Sequence, residues 1–378
     1  MATTSARTDG TFPIVVYGAT GYTGKLIGAE LSRRGARVTL AGRNREKLEA
    51  VAAGFPREPE IAVVQLDDER ALRELVAGAA VVIGCAGPFT LHGSPLIAAA
   101  AETGTHYLDT TGEQPFIRAA FERHGTAASE SGAALVSGFG FDYVPGDMLA
   151  ALTAAGLGPL EELTLAYSLR GFGPTRGTAL SALEMVRGGD VEHRDGGLVP
   201  ASRHVDAGSF PFPSPIGERR VGRYPAGEVI TVPRHVDVRS MRVVIDLRAL
   251  LGAPLGPLAA PAMTGSGLLM GTPLRGAVAK LIERLPEGPS ERARQAARYT
   301  IVCLARHGDG ERRGILRGSD VYGITAVTIA EGATRMTDPG YERSGALAPS
   351  QAFDPESFLT CLAPHGISTE IEPLEKVL

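Results

Sequence analysis

The chain has 378 residues, of which 44% are hydrophobic and 21% are charged, and its formal net charge is −4. A chain of this length and balance forms globular domains with buried cores, which excludes a disordered protein and a small disulfide-stapled scaffold. Because 38 Lys and Arg are balanced by 42 Asp and Glu, the basic excess typical of nucleic-acid binding is missing, and no nucleic-acid partner is expected.

The cysteines and the N-terminal residues indicate the compartment. Cys85, Cys303 and Cys361 lie far apart and show no metal-ligand spacing, so we predict a reducing cytoplasm and no structural metal. Residues 1–11 are polar and contain no apolar run of the kind that a secretory signal carries.

The N-terminal third alternates short apolar runs with amphipathic stretches, a pattern typical of βαβ units around a parallel sheet. The predicted strands are Phe12–Tyr17, Arg37–Ala41, Ile61–Leu66, Ala79–Ala86, His106–Asp109 and Ala133–Ser137. The predicted helices are Tyr22–Arg34, Asn44–Ala53, Asp68–Val76, Pro95–Thr103 and Gln114–Ser131. We therefore predict an α/β fold that begins with a doubly wound Rossmann domain over residues 1–145.

After this domain the pattern changes. Polar and apolar residues alternate over 163–170, which is typical of a strand with one solvated face in an antiparallel sheet. Further strands are predicted at Glu228–Val232, Met241–Leu247, Arg298–Ala305, Arg312–Leu316 and Ile367–Ile371, and helices at Thr178–Arg187, Val321–Thr334 and Pro355–Leu362. Residues 146–319 are predicted to form an α+β substrate domain on a mixed or antiparallel sheet, and residues 320–378 are a segment that can pack back on the first domain. The long loops 195–227 and 252–274 are candidate lids or binding loops.

Three glycines lie between the first strand and the first helix. In a βαβ unit the first makes the tight turn, the second lets a pyrophosphate approach the backbone, and the third packs the helix on the strand. The helix N-terminus then favours the negative charge of the phosphates. The alternative is a tight turn without a ligand. The predicted cofactor-binding residues of this loop are Gly18, Thr20, Gly21, Tyr22, Thr23 and Gly24.

The residues after the second strand predict which dinucleotide binds. An NAD site usually presents Asp or Glu there for the ribose 2′-OH, whereas this chain has Arg43 followed by Asn44. A guanidinium matches a 2′-phosphate, so we predict NADP(H). The alternative is a solvated helix start at Arg43 and Arg45. Asp67, just past the third strand, is predicted either to reach the adenine amino group or to cap a helix.

The loop after the fourth strand is predicted to lie along the nicotinamide. Gly87 permits close backbone approach, and Phe89 is expected to form a wall beside the ring. The alternative is a plain Gly-Pro turn. The predicted cofactor-binding residues here are Ala86, Gly87, Pro88 and Phe89.

Two polar clusters follow. In residues 107–114 we interpret Thr110 with Glu113, and Thr111 with Gln114, as capping boxes of the next helix, and the alternative is acid–base chemistry by the carboxylates of Asp109 and Glu113.

In residues 139–147 two interpretations stand side by side. Either Asp142 caps a helix whose first turn holds Pro145 and Tyr143 is an interdomain aromatic, or Tyr143 is the catalytic proton donor with Asp142 tuning the site.

One apolar segment, Ala249–Leu274, carries no charge over 26 residues. Its four prolines exclude a membrane-spanning helix. We predict instead that it contacts an apolar partner, either the acyl chain of a substrate or a lipid or membrane surface approached peripherally. The alternative is a contact with a second copy of the chain in a homodimer, or a loop that covers the core.

These motifs together resemble one family. With AGR at 41–43, AGPF at 86–89, YLDTTGE at 107–113, FDYVPGD at 141–147, GTALSALEM at 177–185 and YGITAVTIAEGA at 322–333, the chain resembles the saccharopine dehydrogenase-like oxidoreductases, and within them the trans-acting enoyl reductases. In place of the family's FDS-x-P-SD pattern, Tyr143 and Gly146 replace two serines.

The resemblance implies an NADP-binding Rossmann domain, and a second domain whose mixed sheet covers the nicotinamide. It also implies reduction by NADPH of a carbon–carbon or carbon–nitrogen double bond, on a small-molecule, carrier-bound or lipid-like acyl substrate. The alternatives are an imine or ketone reductase of saccharopine type and a non-catalytic NADP-binding or lipid-associated protein.

Overall fold

The computed structural model describes residues 13–185, 189–202, 206–251 and 274–376. Their contacts divide the chain into two compact units. The first comprises Met1–Asp142 and Tyr322–Phe353, and the second comprises Tyr143–Val321 and Asp354–Leu378. The C-terminal segment is therefore split between the units at residue 353.

The secondary-structure elements are numbered along the chain. The strands are β1 (Ile14–Tyr17), β2 (Val38–Gly42), β3 (Glu60–Val63), β4 (Val81–Gly84), β5 (His106–Asp109), β6 (Ala134–Val136), β7 (Leu160–Arg170), β8 (Val191–Arg194), β9 (Gly197–Pro200), β10 (Asp206–Phe212), β11 (Gly217–Arg223), β12 (Val238–Asp246), β13 (Arg298–His307), β14 (Gly310–Ser319), β15 (Gly345–Ala346), β16 (Ser368–Ile371) and β17 (Glu375–Lys376). The helices are α1 (Tyr22–Arg33), α2 (Arg45–Ala52), α3 (Glu69–Ala77), α4 (Phe89–His92), α5 (Ser94–Thr103), α6 (Gln114–Ala119), α7 (Gly125–Ser131), α8 (Val144–Ala154), α9 (Arg176–Met185), α10 (Glu228–Thr231), α11 (Leu247–Leu251), α12 (Leu274–Ile282), α13 (Glu291–Ala296), α14 (Val321–Met336), α15 (Pro349–Ala352) and α16 (Pro355–Leu362).

The first unit is built on a parallel sheet in the order β15-β6-β5-β4-β1-β2-β3. Strands β1 and β4 are buried along their whole length, which explains why the sequence reads there as continuous apolar runs. The order reverses between β1 and β4, and a dinucleotide binds at the carboxyl ends of the strands at such a switch point. The predicted Rossmann fold is confirmed.

The second unit is built on a mixed sheet in the order β10-β11-β12-β7-β13-β14-β16, with β8, β9 and β17 paired at its sides. Strands β7 and β12 run parallel, and β13 runs antiparallel to both β7 and β14. Helix α8 packs on β13 and β14, and α16 packs on α8. The predicted α+β unit with a mixed sheet is confirmed.

Two predicted elements of the second unit are wrong. The run Glu228–Val232, predicted as a strand, begins with helix α10, whose N-cap is Gly227. Four consecutive buried residues look alike in a buried strand and in a buried helical turn, so periodicity cannot separate them. The predicted loop 195–227 instead contains the strands β9, β10 and β11. Its many glycines and prolines are typical of loops, so the sequence pattern does not indicate the hairpin β10–β11. Apart from Leu274, which begins α12, the predicted loop 252–274 lies outside the described residues, and so does most of the apolar segment Ala249–Leu274.

Candidate functional site

The glycine loop lies against the end of β4. Gly18 has φ +83°, and a Cβ built on it would lie 2.8 Å from the carbonyl carbon of Cys85 and 2.9 Å from the amide nitrogen of Ala86. A Cβ on Gly24 would lie 2.5 Å from the carbonyl oxygen of Gly18. Both positions therefore require glycine, for the backbone conformation at the first and for close packing of α1 at the second.

The first turn of α1 is open at its N-terminus. Gly21 is the N-cap residue, and neither a side-chain cap nor an acidic residue occupies this turn of the described chain. Thr20, Tyr22 and Thr23 are partly exposed beside it. Backbone N–H groups at a helix start, together with the helix dipole, suit a pyrophosphate, so the shape of this loop fits a dinucleotide.

Arg43 directly follows β2, and Asp67 lies four residues past the end of β3. Both influence the hydroxyl of Tyr17: burial raises the pKa of Tyr17, the charge of Arg43 lowers it, and that of Asp67 raises it. Arg43 and Asp67 are exposed. Arg43 and Asp67 are thus both close enough to Tyr17 for their charges to act on its hydroxyl.

The residues next to these two act as helix caps. Asn44 accepts a hydrogen bond from the backbone N–H of Lys47 at 2.9 Å and caps α2. Asp68 accepts from the N–H of Ala71 at 3.0 Å and caps α3. The predicted capping role of Asp67 is therefore wrong, because its neighbour occupies the cap position.

The loop after β4 is held by the carboxylate of Glu113. That carboxylate accepts hydrogen bonds from the backbone N–H of Phe89 at 2.8 Å, the N–H of Thr90 at 2.8 Å and the hydroxyl of Thr90 at 2.5 Å. The predicted capping boxes in residues 110–114 are wrong. Glu113 is the N-cap residue of α6, but its side chain makes no capping hydrogen bond to that helix and binds the start of α4 instead.

The ring of Phe89, predicted to form a wall beside the nicotinamide, is buried in the structure. It is 5% exposed and packs against Phe116, with 5.6 Å between ring centroids. The surface of this loop is formed instead by Gly87, which is exposed, and by Ala86 and Pro88, which are partly exposed.

Asp109 is a second buried carboxylate in the same motif. Its Oδ1 accepts hydrogen bonds from the N–H groups of Thr111 and Gly138, both at 2.9 Å. Burial raises the pKa of Asp109 to about 6, although these N–H groups favour the carboxylate. Asp109 and Glu113 therefore each hold backbone in place, which argues against the paired acid–base interpretation.

A cluster of buried polar side chains lies in the second unit. Tyr143 occupies the N-cap position of α8 and is 1% exposed, and its ring centroid is 6.5 Å from that of Tyr224. Tyr224 contacts the ring of Tyr167 at 5.8 Å, and the Tyr167 hydroxyl hydrogen-bonds the buried carboxylate of Glu228. Asp142 is partly exposed, and its predicted capping role is wrong because Tyr143 is the N-cap residue.

Asp147, in the first turn of α8, forms an ion pair with His235. Asp147 is fully buried, and its Oδ1 lies 3.1 Å from Nε2 of His235. Burial alone would lower the pKa of His235, but the charge of Asp147 and its contact raise that pKa above the usual value. The pair therefore favours a protonated imidazole.

Comparisons with known proteins identify the family. The model of the saccharopine dehydrogenase NADP binding domain matches residues 14–136, the extent of β1 to β6. A trans-acting enoyl reductase homologue of Mycobacterium tuberculosis is 30% identical over 95% of this chain and 97% of its own length. The chain belongs to the trans-acting enoyl reductase branch of the saccharopine dehydrogenase-like oxidoreductases.

Two further relatives extend this picture. The trans-acting enoyl reductase of Mycobacterium ulcerans is 29% identical over 94% of this chain and 96% of its own length. Apo saccharopine dehydrogenase (L-Glu forming) of Saccharomyces cerevisiae covers 96% of this chain and 100% of its own with a TM-score of 0.60 and 14% identity, a likeness of fold alone. The chain described here is itself an NADP-dependent oxidoreductase, and its first unit is the NADP-binding domain. In the described part of the chain, no helix has the length and apolar character needed to cross a membrane.

Sequence reasoning missed several buried residues of this enoyl reductase homologue. Tyr167 and Glu228 are 61 positions apart, and His235 pairs with Asp147 across a still longer stretch of the chain. No local spacing signals such pairs. The signal that existed was an acidic residue inside an apolar run at 228–232, since a buried carboxylate needs a polar partner.

Proposed function

We propose that this oxidoreductase uses NADPH to reduce the activated carbon–carbon double bond of an enoyl thioester, whose acyl chain is lipid-like or bound to a carrier. The observation that carries the proposal is the match along almost the whole chain to relatives named trans-acting enoyl reductases. The apolar segment Ala249–Leu274 supports an acyl substrate, because an uncharged run is suited to contact with a hydrocarbon chain.

The cofactor is proposed to be held by three parts of the first unit. The glycine loop Gly18–Gly24 binds the pyrophosphate through backbone N–H groups, which the close packing around Gly18 and Gly24 supports. Arg43 pairs with the 2′-phosphate, and Asp67 beside it faces the adenine. The backbone of Ala86, Gly87 and Pro88 lies along the nicotinamide half. When bound, NADPH supplies a hydride.

Reduction of an enoyl thioester also requires a proton at the α-carbon. We assign that proton to the hydroxyl of Tyr143, and water returns it after each turnover. The buried position of Tyr143 at the start of α8 favours a rigidly placed donor. Asp142, the adjacent residue, is proposed to orient this segment.

The proposal is tested by following NADPH absorbance with three acceptors: a short enoyl thioester of pantetheine, the same acyl group on an acyl carrier protein, and a mixture of a 2-oxo acid with an amine. We expect NADPH oxidation with the thioesters and a saturated thioester as product. Oxidation only with the imine-forming mixture would indicate saccharopine-type chemistry. Binding of NADPH without oxidation by any acceptor would indicate a non-catalytic protein.

A further inference from the structure

The end of the loop after β4 is hydrogen-bonded by the buried side chain of Glu113. Glu113 is 1% exposed, and its two carboxylate oxygens take all three hydrogen bonds from Phe89 and Thr90 described above. The ring contact between Phe89 and Phe116 joins the same two segments a second time. Because hydrogen bonds to a buried charge are stronger than neutral ones, the position of this loop depends mainly on Glu113.

The other side of this loop contacts the glycine loop. The backbone of Cys85 and Ala86 lies so close to Gly18 that no Cβ fits between them. The Cys85–Phe89 loop is therefore packed between the proposed pyrophosphate site and Glu113.

The strand order indicates which half of the dinucleotide meets this loop. Arg43 follows β2, on one side of β1, and the Cys85–Phe89 loop follows β4, on the other side. A dinucleotide that crosses the carboxyl ends of the sheet with its 2′-phosphate at Arg43 places its nicotinamide half over the β4 side. This step rests on the proposed placement of NADPH.

We infer that Glu113 is a positioning residue for the nicotinamide half of the cofactor. It acts through the backbone of Phe89 and Thr90, which determines the position of the backbone of Ala86, Gly87 and Pro88 at the carboxyl ends of the strands. The adenosine half, held by Arg43 and the glycine loop, does not depend on it. Loss of the Glu113 carboxylate thus weakens binding of the whole dinucleotide and leaves binding of the adenosine half unchanged.

The test measures dissociation constants of NADPH and of adenosine 2′,5′-bisphosphate, which represents the adenosine half. The variants are Glu113→Gln, Thr90→Val and, as control, Glu130→Gln at an exposed position of α7. We expect Glu113→Gln to weaken NADPH by about 10-fold or more, because its amide N–H₂ faces N–H donors. Thr90→Val removes one hydroxyl bond and should weaken NADPH by about 3-fold. Binding of the bisphosphate should stay within about 2-fold in all three variants.

Three results would overturn the inference. Equal weakening of NADPH and the bisphosphate would assign Glu113 a general structural role. Unchanged NADPH affinity in the variants that fold would show that loop position does not control binding, and Thr90→Val decides this if Glu113→Gln does not fold. The wild-type protein is titrated first: if it binds no NADPH, the proposed function fails together with the inference, whereas normal wild-type binding with an unaffected Glu113→Gln contradicts the inference alone.

Discussion

Replacement of Arg43 by alanine should change the choice of cofactor without changing the fold. Arg43 is exposed at the end of β2, and its charge acts on Tyr17 alongside that of Asp67. One charge-assisted hydrogen bond to a phosphate contributes about 1.5–3 kcal/mol, which corresponds to a loss of roughly 10- to 100-fold in affinity. NADH has no 2′-phosphate, so its affinity should stay nearly constant.

The matched control for this prediction is Arg45→Ala. Arg45 is two residues further on, is also exposed, and lies 3.7 Å from Glu49 in a surface ion pair. Fluorescence titration of NADPH and NADH against the wild type and both variants gives the comparison. Equal losses for NADPH and NADH in Arg43→Ala, or equal losses of NADPH in both variants, would refute the assignment of the 2′-phosphate to Arg43.

Three further predictions concern the glycine loop, the proton donor and pH. Gly18→Ala and Gly35→Ala each introduce a side chain at positive φ, at a cost of about 1–2 kcal/mol, but only the first also meets neighbouring backbone. We therefore expect a larger loss of Tm in Gly18→Ala and a loss of NADPH affinity in that variant alone. Equal NADPH affinities in the two variants would contradict the role of the close contact. Tyr143→Phe should lower kcat by at least about 10²-fold with unchanged NADPH binding, and near-normal turnover would exclude Tyr143 as the donor. The pKa of His235 is raised in the folded state, so its pairing with Asp147 stabilises the folded protein fully below the unfolded pKa of about 6.5, and this stabilisation is lost as pH rises through the folded pKa. Urea unfolding should show this fall in the free energy of unfolding in the wild type and not in Asp147→Asn. Parallel pH profiles of the two proteins would disprove the prediction.

The sequence predicted the parts of the structure whose signals are local. Continuous apolar runs at β1 and β4 and the glycines after β1 define the switch point within a few residues. Arg43 could be singled out because its position is counted from the glycine loop. These features depend on backbone geometry that a short stretch of chain determines by itself.

The remaining site residues depend on contacts between distant segments. Glu113 has the spacing of a capping box, yet its carboxylate binds backbone N–H groups more than twenty positions upstream. The ring of Phe89 was predicted to form a wall beside the nicotinamide, but it is buried and packs against Phe116 of helix α6. Helix α10 was mistaken for a strand because only tertiary contacts, such as that between Glu228 and Tyr167, distinguish the two. Local propensity does not contain this information.

The most direct test of the account follows the transferred hydrogen atoms. The enzyme is incubated with NADPH deuterated at C4 and an enoyl thioester in ordinary water, and the product is analysed by mass spectrometry and NMR. The account predicts a saturated thioester that carries deuterium at the β-carbon and a solvent-derived proton at the α-carbon. An unlabelled, unreduced thioester recovered with the cofactor still bound would contradict it.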